Sequence, residues 1–407
     1  MKIEAPRGTL DVLPAEQPIR EAIVAAAQSA AVRYGYGRIT TPTFEDTELF
    51  ARTSGQGSDV VTKEMYTFED RAGRSLTLRP EATASVARAY LEHGLHREPQ
   101  PVKTFYIGPM FRYAAPQKGR YREFWQIGFE AMGSADPALD AELIQLFTDI
   151  ARRLGIPRVR LELNSIGDRQ CRPQYVGRLR EFLAARDADL DDDARQKAQT
   201  SPLRIFDTKS AAVRRVLAEA PRIGESLCTA CREHFAAVRG YLDTYGVAYE
   251  LKPTLVRGLD YYTRTVFEFV NDDLGAAQST ICAGGRYDYL IEEIGGSPTP
   301  GVGWAAGVER LAMSARAEPA VGEVELFLAF EDSSRRTELL PLLARLRDAG
   351  AACETDYASR SLRGQLTHAQ RLGARTILIA RPDRLTIRRR GKEDVDVATA
   401  EEALALL

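Results

Sequence analysis

Arginines recur beside tyrosine, glycine and proline in segments whose residue types suit phosphate and ammonium groups. Phe111-Arg112-Tyr113-Ala114-Ala115-Pro116-Gln117-Lys118-Gly119-Arg120-Tyr121-Arg122-Glu123-Phe124 reads as strand, loop and strand, with Pro116 and Gly119 as turn residues and four basic residues before the first acid. An arginine at the end of such a hairpin can grip a phosphate through two parallel hydrogen bonds, which lysine does poorly; the bland alternative is a solvated, charged hairpin. Leu255 to Thr265 sets Arg257 beside Gly258 and places Tyr261 and Tyr262 together in strand context, which suggests a polar pocket with a phosphate contact. In Ala283-Gly284-Gly285-Arg286-Tyr287-Asp288 two glycines stand where the backbone must turn or approach a ligand closely. Leu78-Arg79-Pro80-Glu81-Ala82-Thr83 ends a strand with a carboxylate and a hydroxyl, a pair suited to an ammonium group.

Other motifs point to structure. Cys228 and Cys231 with His234 invite a metal, but no fourth ligand is evident and their spacing spreads them around a helix axis. A redox pair would want a βαβ setting. The two thiols are therefore expected to pack, with no metal held by protein residues alone. Gly301 to Gly307 has one residue too many for a dinucleotide fingerprint, and its small residues are expected to let a helix and a strand approach closely. There is no G-x-x-x-x-G-K-[ST] loop, and His93, His96, His234 and His368 give little acid–base machinery. From 371 to 392, Arg371, Arg375, Arg381, Arg384, Arg388, Arg389, Arg390 and Lys392 face Asp383 alone, which reads as a local phosphate-binding face.

The elements that must position these residues fall into blocks. The chain has 407 residues, and at roughly 100–200 residues per domain that suggests two to four domains. Its 55 basic and 57 acidic residues exclude a protein that holds nucleic acid by bulk charge. No apolar leader or membrane span is visible, and five cysteines are unlike a secreted disulfide framework, so a soluble cytoplasmic protein is expected. Residues 17–35 read as a helix with Ile19, Ile23, Ala26, Ala27, Ala30 and Tyr34 on one face, stopped by Gly35 and Gly37. Strands are expected at Arg38–Thr40, Leu76–Arg79, Val102–Arg112, Arg122–Glu130 and Val159–Asn164, favouring an antiparallel sheet. Between about 170 and 240 the text is charged, alanine-rich and helical in period; strands return at Ala248–Thr254 and Thr265–Asn271. A linker is expected at Ala315–Gly322, followed by a βαβαβ order beginning at Val324.

Together these segments resemble the histidyl-tRNA synthetases, class II aminoacyl-tRNA synthetases, over essentially the whole chain. Arg7 to Pro14 is similar to the family's N-terminal signature, Gly37 to Phe50 to motif 1, which builds a homodimer interface, Phe111 to Glu130 to motif 2 and Gly301 to Leu311 to motif 3. Leu255–Thr265 and Ala283–Asp288 resemble the two histidine-specific motifs. The resemblance implies an α+β catalytic domain with an antiparallel sheet over 1–168 and 249–315, a helical insertion over 169–248 and a C-terminal α/β anticodon-binding domain over 323–407.

It implies activation of L-histidine by ATP, with Mg²⁺ on the triphosphate, then transfer to the 3′ end of tRNA(His). Arg112 would hold the α-phosphate and the substrate carboxylate, Arg257 the α-phosphate and Arg310 the γ-phosphate. Glu81, Thr83 and Gln126, with Ala82 between the first two, would receive the α-ammonium. Glu130 and Tyr262 would take the imidazole nitrogens beside Tyr261, and Gln117, Lys118 and Arg120 would meet the acceptor end. Ala114 and Ala115 stand where family members usually carry an acid and an arginine, so adenine or acceptor-end recognition would rely on backbone groups or neighbours. Trp125 stands where histidine is common and is expected to be a packing change. The rival reading is a catalytically inactive, histidine-sensing regulatory paralogue that partners ATP phosphoribosyltransferase.

Overall fold

Ile23, Ala27, Ala30 and Ala31 give the first helix, α1 (Gln17–Tyr34), a smooth apolar stripe, and small side chains let it lie close on its neighbours. Gly35 ends it at φ 73°, a left-handed backbone that glycine adopts without strain. These features belong to a computed structural model of the chain, which describes residues 3–53, 63–275, 278–316 and 324–406. The chain divides into two compact units, Met1–Pro319 and Ala320–Leu407. The expected linker at Ala315–Gly322 lies mostly outside the described residues.

In the first unit, β1 (Gly37–Arg38), β2 (Phe44–Asp46), α2 (Thr47–Thr53), β3 (Tyr66–Glu69), β4 (Ser75–Leu78) and α3 (Thr83–Glu92) precede a long hairpin of β5 (Val102–Phe111) and β6 (Glu123–Met132). Next come α4 (Pro137–Arg153) and β7 (Val159–Ser165), then α5 (Arg172–Ala184), α6 (Asp192–Thr200), α7 (Ala211–Ala218) and α8 (Thr229–Tyr245). The unit closes with β8 (Glu250–Leu251), β9 (Thr263–Asn271), β10 (Thr280–Arg286), α9 (Leu290–Glu293), β11 (Gly301–Gly307) and α10 (Val308–Ser314). Eight strands form the main sheet in the order β1-β5-β6-β11-β10-β9-β7-β8, parallel only at β1·β5 and β7·β8. The expected antiparallel α+β body is thus present. The strand expected at Ala248–Thr254 shrinks to two residues, because Pro253 has no N–H to give the ladder.

Period-two alternation sorts the central strands. Ile127, Phe129 and Ala131 of β6 and Val302, Trp304 and Ala306 of β11 face the core under α1 and α4. Phe124 and Gln126 of β6 and Ala305 and Gly307 of β11 face a cavity on the opposite side. Gly301 to Gly307 is therefore itself a strand, with its small residues on the cavity face. Gly284 and Gly285 also lie in a strand, β10, where close packing rather than a turn needs them small. A Cβ at Gly284 would lie 2.5 Å from Trp304 Cβ, and one at Gly285 would lie 2.5 Å from the Thr265 carbonyl oxygen.

An ion network centred on the fully buried Arg286 and Asp140 ties α4 to β10 and α8. Arg286 donates to both carboxylate oxygens of Asp140 and to Asp288, and His234 sets Nε2 3.3 Å from Asp140 Oδ1. His234 is thereby turned away from the cysteines with which the sequence groups it. Burial alone would raise the Asp140 pKa, but the Arg286 charge overrides it and holds the carboxyl well below the usual range. A depressed native pKa gives stability that is complete above the unfolded value and lost as pH falls through the native one. Asp140→Asn is expected to cost about 2–3 kcal/mol at pH 7, because buried Arg286 keeps its charge but loses the nearer of its two carboxylate partners and is left with Asp288 alone. The gap between variant and wild type should close as pH drops below about 4. Urea midpoints at pH 7 and in acid check both claims.

In the second unit, β12 (Leu326–Phe330), α11 (Arg336–Asp348), β13 (Cys353–Thr355), α12 (Leu362–Arg371) and β14 (Thr376–Ala380) give the expected alternating order. β15 (Leu385–Arg389), β16 (Val395–Val397) and α13 (Ala400–Leu406) extend it, and the sheet order is β13-β12-β14-β15-β16 with the last two strands antiparallel. Here three arginines of the expected basic run have acidic partners. Arg381 pairs with Glu331 at 2.9 Å, Arg384 with Asp383 and Asp396, and Arg388 with Asp394 at 2.6 Å. Three of those acids lie outside the 371–392 window, which is why a count within it overstated the charge. Among the described residues no helix is long and apolar enough to cross a membrane.

Candidate active site

The strand–loop–helix segment from β4 to α3 builds one wall of the cavity. Glu81 is buried, and its carboxylate accepts the N–H of Thr83 at 2.6 Å and of Ala84 at 3.0 Å, which caps the first turn of α3. Ala82, also buried, fixes the spacing between the two polar side chains. Thr83 donates its hydroxyl to Glu130 Oε1 at 2.7 Å, and Tyr287 donates to Glu130 Oε2 at 2.5 Å. Burial pushes the Glu130 carboxyl up to about 8 against the pull of these two donors. Burial raises Glu81 too, opposed by the Ala84 and Thr83 N–H groups.

Glu81, Thr83, Arg112, Gln126, Arg257, Tyr261, Tyr262, Arg120 and Arg310 all line this single cavity. Glu130 lies beneath it, against β11: a Cβ on Gly303 would fall 1.8 Å from Glu130 Oε2, so only glycine leaves room for the carboxylate. Gln126 Oε1 is buried with no partner among the described residues, an acceptor held ready for a donor from a ligand. The Tyr261 and Tyr262 rings lie 4.6 Å apart, tilted by 44°, and Tyr261 meets Tyr287 edge-on at 5.9 Å.

The three arginines hold the other end. Arg112 Nε donates to the Pro80 carbonyl at 2.8 Å, and its guanidinium lies 5.4 Å from the Phe124 ring centre. Arg310, in the first turn of α10, is fixed by the carbonyls of Gly119 at 3.1 Å and Thr280 at 2.7 Å. Arg257 pairs with Glu268 of β9, lies over Tyr262 and keeps a buried Nε without a partner among the described residues. Arg112 and Arg310 each repay only part of their burial through neutral carbonyls, and burial lowers the pKa of both. Such cations bind an incoming polyanion without first giving up a strong ion pair.

The hairpin tip divides the remaining candidates. Gln117 and Lys118 are exposed and outside the cavity lining, whereas Arg120 reaches in and pairs with Glu64 at 2.6 Å. Ala114 is buried in the wall and Ala115 is exposed. Trp125 is 42% exposed, and its backbone N–H donates to Glu309. The Gly8 carbonyl accepts the Arg122 N–H at 2.7 Å, which straps the N-terminal signature onto the hairpin.

Sequence reading missed Glu64, Glu268, Tyr287 and Glu309. Glu268 had a local signal: it shares a face of β9 with Val266, two residues earlier. Glu64, 56 residues before its partner Arg120, had none.

Residues 8–311 match the family model of histidyl-tRNA synthetase. Histidine–tRNA ligase of Thermosynechococcus vestitus is 45% identical over 381 residues, covering 93% of this chain and 89% of that protein. The histidine–tRNA ligase of Anaeromyxobacter dehalogenans is 47% identical over 383 residues, 93% and 92% of the two chains. The solved apo histidyl-tRNA synthetase of S. aureus superposes with a TM-score of 0.82 at 33% identity, over 100% of this chain and 99% of that one. An ATP phosphoribosyltransferase regulatory subunit/histidyl-tRNA synthetase from Bacillus halodurans gives 0.68 at 23% identity, over 93% and 98%, a likeness of fold.

Proposed function

The chain belongs to the histidyl-tRNA synthetase family and is a histidine–tRNA ligase that uses ATP, and from that premise we propose that the cavity between α3 and the β6-β11-β10 face joins histidine to ATP. One observation carries this assignment: a single cavity presents buried carboxylate and hydroxyl groups at one end and three converging arginines at the other. The substrate α-ammonium meets Glu81, Thr83 and the unpartnered Gln126 Oε1. Its imidazole lies between Glu130 and Tyr262, beside Tyr261, where a carboxyl and a hydroxyl match one donor and one acceptor. A site built this way rejects apolar isosteres, whose binding would leave its own polar groups unpaired.

In the first step a histidine carboxylate oxygen attacks the α-phosphorus of ATP, and pyrophosphate leaves. Arg112 holds the carboxylate and the α-phosphate in line, Arg257 takes a second α-phosphate oxygen, and Arg310 holds the γ-phosphate, so that charge developing on oxygen meets fixed cations. Mg²⁺ would come with ATP and would offset part of the triphosphate charge; Glu268, a carboxylate beside Arg257, is already paired with that arginine. In the second step the tRNA(His) 3′-terminal ribose displaces AMP, with Gln117, Lys118 and Arg120 meeting the acceptor end. Residues 169–248 form a helical insertion in the catalytic body, 323–407 an anticodon-binding domain, and two copies assemble as a cytoplasmic homodimer.

Glu130 sets a pH dependence. Its raised pKa leaves it protonated at neutral pH in the empty site, so neutral histidine and protonated Glu130 together carry the one proton the pair shares. The KM for histidine should be flat from about pH 6.5, where free imidazole deprotonates, to about pH 8. It should rise on both sides, below because a proton must be released and above because one must be taken up. Steady-state KM against pH checks this; a KM that falls steadily above pH 8 would contradict it.

Charging is the functional test. Purified chain with ATP, Mg²⁺, tRNA(His) and radiolabelled histidine should yield histidyl-tRNA, and omitting ATP or the tRNA should abolish it. Histidine binding without charging would contradict the proposal.

A further inference from the structure

Two short segments far apart in sequence converge behind the tyrosine side of the cavity. Asp168 and Cys171 lie in the turn between β7 and α5, and Cys228 and Cys231 at the start of α8. One ligand atom from each of the four lies within 4.8 Å of the others, and three of the residues are buried. The sequence reading found two of these thiols and left them without further ligands; folding brings a third thiol and a carboxylate to them.

Zinc forms bonds of about 2.3 Å to sulfur and about 2.0 Å to carboxylate oxygen, so an ideal tetrahedron has sulfur–sulfur edges of about 3.8 Å and sulfur–oxygen edges of about 3.5 Å. Cys171 Sγ lies 3.8 Å from Cys231 Sγ and 3.6 Å from Asp168 Oδ1. The three cluster cysteines and the acid are spaced as two pairs, each with two intervening residues, a common arrangement for two loops gripping one ion. The first loop has the tightness such a grip needs. Gly167 adopts φ +64°, and a Cβ there would lie 2.7 Å from Cys171 Sγ, while the Asp168 N–H points at the same sulfur from 3.5 Å. Arg264 places a guanidinium nitrogen 3.4 Å from Asp168 Oδ2, a cation able to offset the net negative charge of three thiolates and a carboxylate around a divalent ion.

We propose that Asp168, Cys171, Cys228 and Cys231 bind one structural Zn²⁺ that clamps the start of α8 to the β7–α5 turn. The clamp bears on the histidine end of the cavity through Arg172. That side chain follows Cys171 and donates to the Gly167 carbonyl at 3.0 Å and to the Tyr262 carbonyl at 2.6 Å. Its role is positional: the ion touches neither substrate.

Metal content tests this without any activity assay, so its failure is distinct from failure of the ligase assignment. The reduced full-length protein should hold about one zinc per chain by elemental analysis. Cobalt added to chelator-treated protein should give thiolate-to-cobalt charge transfer and the intense visible bands of tetrahedral cobalt. Asp168→Ala should weaken the metal at least about 100-fold, and Asp168→Cys should retain it. Because Cys231→Ser can fail by misfolding alone, the cobalt spectra of wild type and Asp168→Cys carry the decision. Reduced wild type that takes up neither metal, or an octahedral cobalt spectrum without charge transfer, would overturn the proposal. So would a metal-free protein whose mass shows a Cys228–Cys231 disulfide under reducing purification.

Discussion

Arg112→Ala is expected to lower histidine-dependent adenylate formation by about 10³–10⁵-fold, the range seen when an arginine that meets transition-state charge on phosphate is removed. The fold should survive, because among the described residues the guanidinium donates only to the Pro80 carbonyl. Arg112→Lys should recover little: one ammonium cannot span a carboxylate oxygen and a phosphate oxygen together. Exchange of labelled pyrophosphate into ATP measures the loss, with the urea midpoint of each variant as the check on folding. A variant within tenfold of wild type would remove Arg112 from the centre of the mechanism.

Arg257→Ala should fall almost as far, by about 10³-fold or roughly 4 kcal/mol, and almost entirely in kcat. In the empty site Arg257 is held by Glu268 and lies over Tyr262, so its guanidinium is fixed in place before ATP arrives. Removing it also strands Glu268 as a carboxylate beside the incoming triphosphate, which adds repulsion to lost attraction. The KM for histidine should change by less than about threefold, since interactions made only as charge develops leave ground-state binding alone. Equal losses in kcat and histidine affinity would mean that the arginine binds the amino acid.

Arg112 and Arg257 were legible because each stands beside tyrosine or glycine in a strand-end or loop segment, a local pattern, whereas Arg310, in the first turn of α10, was marked only by the resemblance of Gly301–Leu311 to motif 3. The strands of the hairpin and the first helix were legible through their period, with ends displaced by a few residues. What stayed hidden depends on partners remote in sequence. Asp140 and Arg286 are 146 positions apart, so nothing local marks Arg286 as buried structure. Gly301 to Gly307 hid its meaning differently: alternate small residues look like a fingerprint until the strand direction separates Trp304 from Gly303 and its neighbour Glu130. Asp168 and Cys171 stand 60 residues before Cys228 and Cys231, and only folding makes them one cluster. In the C-terminal unit Asp394 and Asp396 lay just beyond the basic run, while Glu331, the partner of Arg381, stood 50 positions before that arginine.

Pyrophosphate exchange into ATP is the measurement closest to the central claim, that one cavity holds histidine and ATP together and fixed arginines drive the attack. With purified wild-type chain and no tRNA, exchange should depend on histidine, saturate with it, and vanish when the amino acid is replaced by an apolar isostere. Histidine binding with no exchange above background would contradict the account and leave the chain a sensor of histidine.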